Sequence, residues 1–131
     1  MDTIDPSQPE TILLVEDEPA VRSVARRTLE RKGFRVIEAA NGEEALRVAD
    51  QDGVTIDLLL SDVLMPGTTG SALAEELRKR HSGLKVLLMS GYDESYLAAH
   101  TSPVAGAEFL EKPFTPSDLV SKVQSTLRPA A

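Results

Sequence analysis

Five short apolar runs recur along the chain, over Thr11–Val15, Phe34–Glu38, Ile56–Asp62, Leu84–Met89 and Ala107–Glu111. The third is the densest. Ile56-Asp57-Leu58-Leu59-Leu60 runs into Ser61 and Asp62, and a turn signal, Met65-Pro66-Gly67, follows. A short, near-continuous apolar run that stops this abruptly predicts a strand buried on both faces, as in a parallel sheet.

The stretches between the runs carry helical spacing. Val21, Val24, Ala25, Thr28 and Leu29 repeat after Pro19, which suits a first helical turn, and Gly33 provides a stop. Asn41-Gly42-Glu43-Glu44 predicts a capped helix whose buried stripe is Ala45, Leu46 and Ala49. Thr68 or Thr69 caps a third helix with Leu73, Ala74 and Leu77 facing inward, ended by Gly83. Tyr92 to His100 is compatible with a fourth, broken at Thr101-Ser102-Pro103. Thr115-Pro116-Ser117-Asp118 opens the last, with Leu119, Val120, Val123 and Leu127 as its apolar face and Pro129 as its stop.

Strand and helix thus alternate five times. The pattern predicts an α/β fold: a five-stranded parallel sheet with helices on both faces, joined by right-handed crossovers. The flavodoxin-like order 2-1-3-4-5 suits five such units, and its switch point lies between the first and third strands. Residues 1–10, with Asp2, Asp5, Pro6 and Pro9, read as a disordered tail, and residues 11–128 as one domain without internal repeats.

Composition narrows the classes. A net charge of -7 argues against a nucleic-acid-binding face, which needs a basic stripe. The chain has no Cys, so disulfide and thiolate chemistry are excluded. No apolar run approaches the length of a membrane span and no secretory leader is legible, so the cytoplasm is the expected location, without membrane insertion.

The chemistry collects at the strand ends. Glu16 and Asp17 follow the first strand, Asp62 ends the third, Ser90 follows the fourth and Lys112 the fifth. Strands ending side by side gather these groups into one shallow site. Three carboxylates crowded together repel unless a cation joins them, and Mg²⁺ suits an oxygen-only site open to water. Lys112 is a point charge for an anion, and Ser90 a short hydroxyl donor. Together they point to transfer of a phosphoryl group onto the Asp62 carboxylate.

These motifs resemble the receiver domain of two-component response regulators. The resemblance rests on Leu14-Val15-Glu16-Asp17-Glu18, Asp62-Val63-Leu64-Met65-Pro66-Gly67, Met89-Ser90-Gly91-Tyr92 and Glu111-Lys112-Pro113-Phe114. It spans about Thr11 to Leu127, and the Ser-Gly-Tyr form is most similar to receivers of hybrid sensor histidine kinases. The resemblance implies Asp62 as phosphoacceptor. It implies Mg²⁺ bound by Asp17 and Asp62, by Glu16 through water, and by the backbone carbonyl of Leu64. Ser90 and Lys112 would hold phosphoryl oxygens, and Ser90 with Phe109 would form the switch. The implied donor is a histidine kinase or histidine phosphotransfer protein. A downstream protein partner would read the fourth helix, last strand and last helix.

Singly, each group has a plainer explanation. Glu16 and Asp17 suit an acidic helix start, Lys112 a solvated charge, Ser90 a turn residue and Phe109 a half-buried core position. His81 and His100 lie in polar surroundings, solvated, and carry no phosphoryl group. The basic side of the first helix, with Arg22, Arg26, Arg27, Arg31 and Lys32, is either a solvated face or a contact for a kinase or phosphotransfer helix. Three classes compete: a switch that is no enzyme beyond its own phosphorylation and dephosphorylation, an Asp-nucleophile phosphohydrolase, and a non-phosphorylated scaffold. The second expects Asp-x-Asp after the first strand, where this chain has Glu16-Asp17-Glu18. The third expects loss of Asp62 or Lys112, and both are present. A nucleotide-binding domain would need a Gly-rich loop after the first strand, which is absent.

Overall fold

In a computed structural model, which describes residues 9–51 and 53–128, the predicted alternation becomes one parallel sheet. Its strands are β1 (Thr11–Val15), β2 (Arg35–Ala39), β3 (Leu58–Asp62), β6 (Lys85–Ser90) and β7 (Glu108–Glu111), in the order β2-β1-β3-β6-β7. The two-residue strands β4 (Leu64–Met65) and β5 (Thr68–Thr69) form a small antiparallel hairpin directly after Asp62. With the hairpin set aside, the five main strands take the expected 2-1-3-4-5 order. β1 matches its predicted limits, and the other four strands sit one or two residues off theirs: Ile56 and Asp57 precede β3, and Phe34 precedes β2. Most of the tail expected over residues 1–10 falls outside the described residues. Glu10 does not: its carbonyl accepts from the Arg35 N–H at 2.9 Å, and its carboxylate pairs with Arg128.

The sheet is buried on both faces because β1 and β3 offer apolar side chains to each. Leu13, Val15 and Leu59 face a core with Ala45 and Ala49 of α2 (Gly42–Ala49), Leu73, Ala74 and Leu77 of α3 (Gly70–Arg78), and Leu97 of α4 (Glu94–His100). Ile12, Leu14, Leu58 and Leu60 face a second core with Ala25 and Leu29 of α1 (Pro19–Arg31) and Leu119 and Val123 of α5 (Pro116–Leu127). Each fully buried Leu contributes roughly 1.5–3 kcal/mol, so the centre of the sheet is its firmest part.

The helix starts at Asn41 and Thr115 follow the sequence signals, Thr69 rather than Thr68 caps α3, and Asp93 caps α4 without having been singled out in the sequence. The Asn41 side chain accepts from the Glu44 N–H, Thr69 from Ala72, Asp93 from Tyr96 and Thr115 from Asp118. Asp118 reaches back to the Thr115 N–H, which completes a capping box. Gly33 ends α1 with φ +94°, a conformation that glycine tolerates without steric cost. Pro129, the predicted stop of α5, lies outside the described residues.

Four expectations need correction. Gly83 does not end α3, which stops at Arg78, capped by Lys79, five residues earlier than the sequence cue. Val24 is 55% exposed and Leu46 exposed, so neither joins its helix's buried stripe. Helical spacing identifies a face but does not say how wide the contact with the sheet will be. His81 is half-buried rather than free in solvent, with Nε2 3.3 Å from the Ala49 carbonyl at the end of α2.

The segment from Gly91 to Gly106 contains α4, seven residues long, with Leu97 as its buried side chain. Arg78 pins the far end of that segment. Its Nη1 donates to the Ala105 carbonyl at 2.7 Å, while Nε and Nη2 donate to the Leu84 carbonyl at 3.3 and 3.1 Å.

Candidate functional site

The carboxyl ends of β1, β3 and β6 open onto one acidic depression. Glu16 prolongs β1 by one residue, its N–H donating to the Ala39 carbonyl at 3.1 Å, and it is fully buried. Its Oε2 accepts from the Glu18 N–H at 3.1 Å, and its carbonyl from Arg22 Nη1 at 2.7 Å. The first turn of α1 therefore fixes the direction of the Glu16 side chain. Asp17 follows in the exposed loop. Asp62 is the last residue of β3 and is 6% exposed. The chain then continues through Val63, whose N–H donates to Met89 and whose carbonyl accepts from Gly70.

Glu16, Asp17 and Asp62 each place one carboxylate oxygen within 4.8 Å of the other two. Lys112 reaches in from the end of β7. Its Nζ lies 2.7 Å from Glu16 Oε1 and 2.6 Å from Asp62 Oδ1. Its own N–H donates to the Ser90 carbonyl at 2.8 Å, and its peptide bond to Pro113 is cis. The sequence-predicted carboxylates and lysine thus converge. Ser90 lies at the rim, where its Oγ accepts from the Tyr92 N–H at 2.9 Å. That bond leaves the hydroxyl proton available for another acceptor. Leu64 begins the hairpin two residues beyond Asp62 and is half-buried. Phe109 is 43% exposed, which corrects its expected half-core placement: β7 is the edge strand, and only Leu110 of its four residues is buried.

Charge crowding sets the protonation of the site. Burial, with the Glu16 carboxylate alongside, pushes Asp62 up to about 7 against the pull of Lys112. Glu16 feels the same burial, but hydrogen bonds from Asp62, Lys112 and the Glu18 amide outweigh it and hold its carboxyl below the ordinary range. Burial also works against the Lys112 ammonium, yet Asp62 and Glu16 more than compensate and raise its affinity for the proton. One ammonium does not neutralise this cluster, and an added hard cation with oxygen ligands would complete it.

Two contributors escaped the sequence reading. Arg22 was legible only as part of a basic helix face, and its bond to the Glu16 carbonyl depends on where α1 begins. Gly70 supplies closeness: a Cβ there would lie 2.5 Å from the Asp62 carbonyl oxygen and 2.9 Å from Leu88 Cδ2. Its signal was a Gly directly after the Thr69 cap, where a side chain would be expected to cost nothing.

Nearly the whole chain is similar to known proteins. The family model "Response regulator receiver domain" matches residues 12–124. The Sensor kinase CckA of Brucella abortus (strain 2308) is 43% identical over 117 residues, which are 89% of this chain and 12% of that protein. The alkaline phosphatase synthesis transcriptional regulatory protein PhoP of Bacillus subtilis (strain 168) is 31% identical, over 89% of this chain and 48% of that one. This chain therefore spans half or less of these relatives. Among solved structures, the receiver domain of the hybrid histidine kinase CckA superposes with a TM-score of 0.76 at 43% identity, covering 90% of this chain and 99% of that one. Chemotaxis protein CheY4 of Vibrio cholerae does so at 0.81 and 27% identity, over 91% and 99%. Among the described residues, no helix is long and apolar enough to cross a membrane.

Proposed function

The chain belongs to the response regulator receiver domain family, and on that premise we propose that it is a phosphorylation-dependent signalling switch with Asp62 as its acceptor. The observation that carries this reading is the Lys112 ammonium shared between Glu16 and Asp62 at 2.7 and 2.6 Å, beside the third carboxylate of Asp17. The donor is a phosphohistidine of a histidine kinase or histidine phosphotransfer protein. An Asp62 oxygen attacks phosphorus in line, the phosphorus–nitrogen bond breaks, and its electron pair returns to the imidazole. Lys112 then pairs with one phosphoryl oxygen and Ser90 donates its hydroxyl proton to another. Ionised Asp62 is the nucleophile, so the proton it holds near neutrality must leave first.

The donor set fits Mg²⁺: all-oxygen, acidic and under-neutralised. Glu16, Asp17 and Asp62, with the Leu64 carbonyl, would hold it. When bound it supplies charge neutralisation for the phosphoryl oxygens.

The approach of the donor is supported by a groove of about 500 Å³ lined by Ala20, Val21, Val24, Lys112, Pro113 and Phe114. It adjoins the acceptor through Lys112 and accounts for the exposed Val24. A helix carrying the donor histidine would cover it. On the other side, withdrawal of Ser90 toward the phosphoryl group would free space for Phe109 to turn inward. The face formed by α4, β7 and α5 would then be altered for a downstream protein partner. Chemistry stays confined to the protein's own aspartyl phosphate.

Labelling decides the matter. Acetyl phosphate or a phosphorylated histidine kinase, with Mg²⁺, should label the protein, and Asp62→Asn should lose the label entirely. Label retained in that variant would move the acceptor elsewhere and overturn the reading.

A further inference from the structure

A second cleft, of about 680 Å³, lies outside the acidic depression along the edge formed by α4 and β7. Its walls include Tyr92 and Phe109, 54% and 43% exposed, and its rim carries Asp93 and Glu111. Both tyrosines of the chain stand on this surface instead of in a core. Tyr96 stacks on Tyr92 with ring centroids 4.5 Å apart and planes 15° apart, and His100 stacks on Tyr96 at 4.0 Å and 16°. The three rings, four residues apart along the chain, hold one another in place, so the Tyr92 ring is already oriented before anything binds.

Among the described residues, the carboxylates on this edge that lack an ion-pair partner are Asp93 and Glu111. Asp93 serves only as the cap of α4. On this edge Lys122 is taken by Glu108 at 3.4 Å, and Lys112 points into the acidic depression. An exposed aromatic wall beside unpaired carboxylates calls for a cation with a flat face. A guanidinium stacks on a ring and forks onto a carboxylate, which a lysine ammonium does less well.

We propose that the α4–β7 cleft receives an arginine side chain of a partner protein, flanked by apolar residues that pack on Phe109 and Tyr96. The guanidinium lies against Tyr92 and pairs with Glu111, with Asp93 alongside. Ser90 and Gly91 line the same cleft, so its shape follows the position of Ser90. That coupling, unlike the cleft itself, rests on the switch reading given above.

The test uses two helical peptides that differ only in having arginine or glutamate between their leucines, titrated into the labelled full chain by NMR. The arginine peptide should shift Tyr92, Phe109 and Glu111 signals, and the glutamate peptide should not. A double variant, Asp93→Asn with Glu111→Gln, retains a cap for α4 and should weaken binding at least tenfold, with sensitivity to salt. Equal binding of both peptides, or unchanged affinity of the double variant, overturns the assignment. Repeating the titration with beryllofluoride separates the two ideas. Arginine-dependent binding that ignores beryllofluoride keeps the cleft and removes its coupling to Asp62. No arginine preference in either state removes the cleft whatever Asp62 does.

Discussion

Every residue of β1 and β3 is buried, whereas β7 buries Leu110 alone and α4, among its described side chains, Leu97 alone. The two regions share one sheet but answer to different demands. The central strands carry Glu16 and Asp62 at their ends, and buried neighbours on both faces hold the spacing of their oxygens. The edge carries Tyr92, Tyr96 and Phe109 in the open, where few apolar contacts resist a change of arrangement. Rigidity is concentrated where bonds would form, and looseness where a partner would look.

The contrast is broken most severely by cutting into the centre. Leu59→Ala, at a fully buried position in β3, should cost about 3 kcal/mol in urea unfolding. Phe109→Ala on the edge should cost under about 1 kcal/mol, since much of the ring is already in water. Equal losses would erase the distinction.

Glycines sharpen it at smaller scale. Gly70→Ala drives a methyl group against the Asp62 carbonyl, where backbone must yield, and should cost about 2 kcal/mol. Gly91→Ala, with nothing within 4 Å of the new carbon, should stay within about 0.5 kcal/mol. A harmless Gly70→Ala would mean that the end of β3 is looser than described.

A further effect is set by pH. Asp62 is raised from 3.8 to about 7 in the folded chain, so its contribution to stability is full below its unfolded value and is lost as pH rises through about 7. Asp62→Asn removes that loss. It should stabilise the protein by about 1–2 kcal/mol at about pH 8 and by almost nothing at about pH 4, read by thermal unfolding. Partial compensation by Glu16, whose shift runs the other way, keeps the gain below the full value. A gain independent of pH would contradict the crowded-carboxylate account.

Much of this was legible from residues. Thr11–Val15 was read to the residue, because an unbroken apolar run admits one interpretation once the flanking charges are noted. Caps at Asn41 and Thr115 are legible through side-chain chemistry, while the third is legible only as Thr68 or Thr69, and the structure selects Thr69. The converging carboxylates and lysine followed from strand ends and strand order together. What stayed hidden depended on distances across the fold. Val24 carries the helical spacing of a core residue, yet its exposure is set by how α1 sits on the sheet. Phe109 looked half-buried because the sequence does not state that β7 lacks a neighbour on one side. The need for Gly70 arises from the path of the chain after Asp62, and a glycine directly after the Thr69 cap is its one local sign.

Arg78 recognises only main-chain oxygens, those of Leu84 and Ala105. An attachment of that kind ignores side-chain identity at both anchored positions. The far end of the stretch between Gly91 and Ala105 can therefore change its side chains without redesigning its seat, provided that Arg78 and the length are kept, whereas Leu97 must stay apolar to fill the core. Arg78 and Leu97 are thus its fittings to the scaffold, and the exposed positions between them are free to vary.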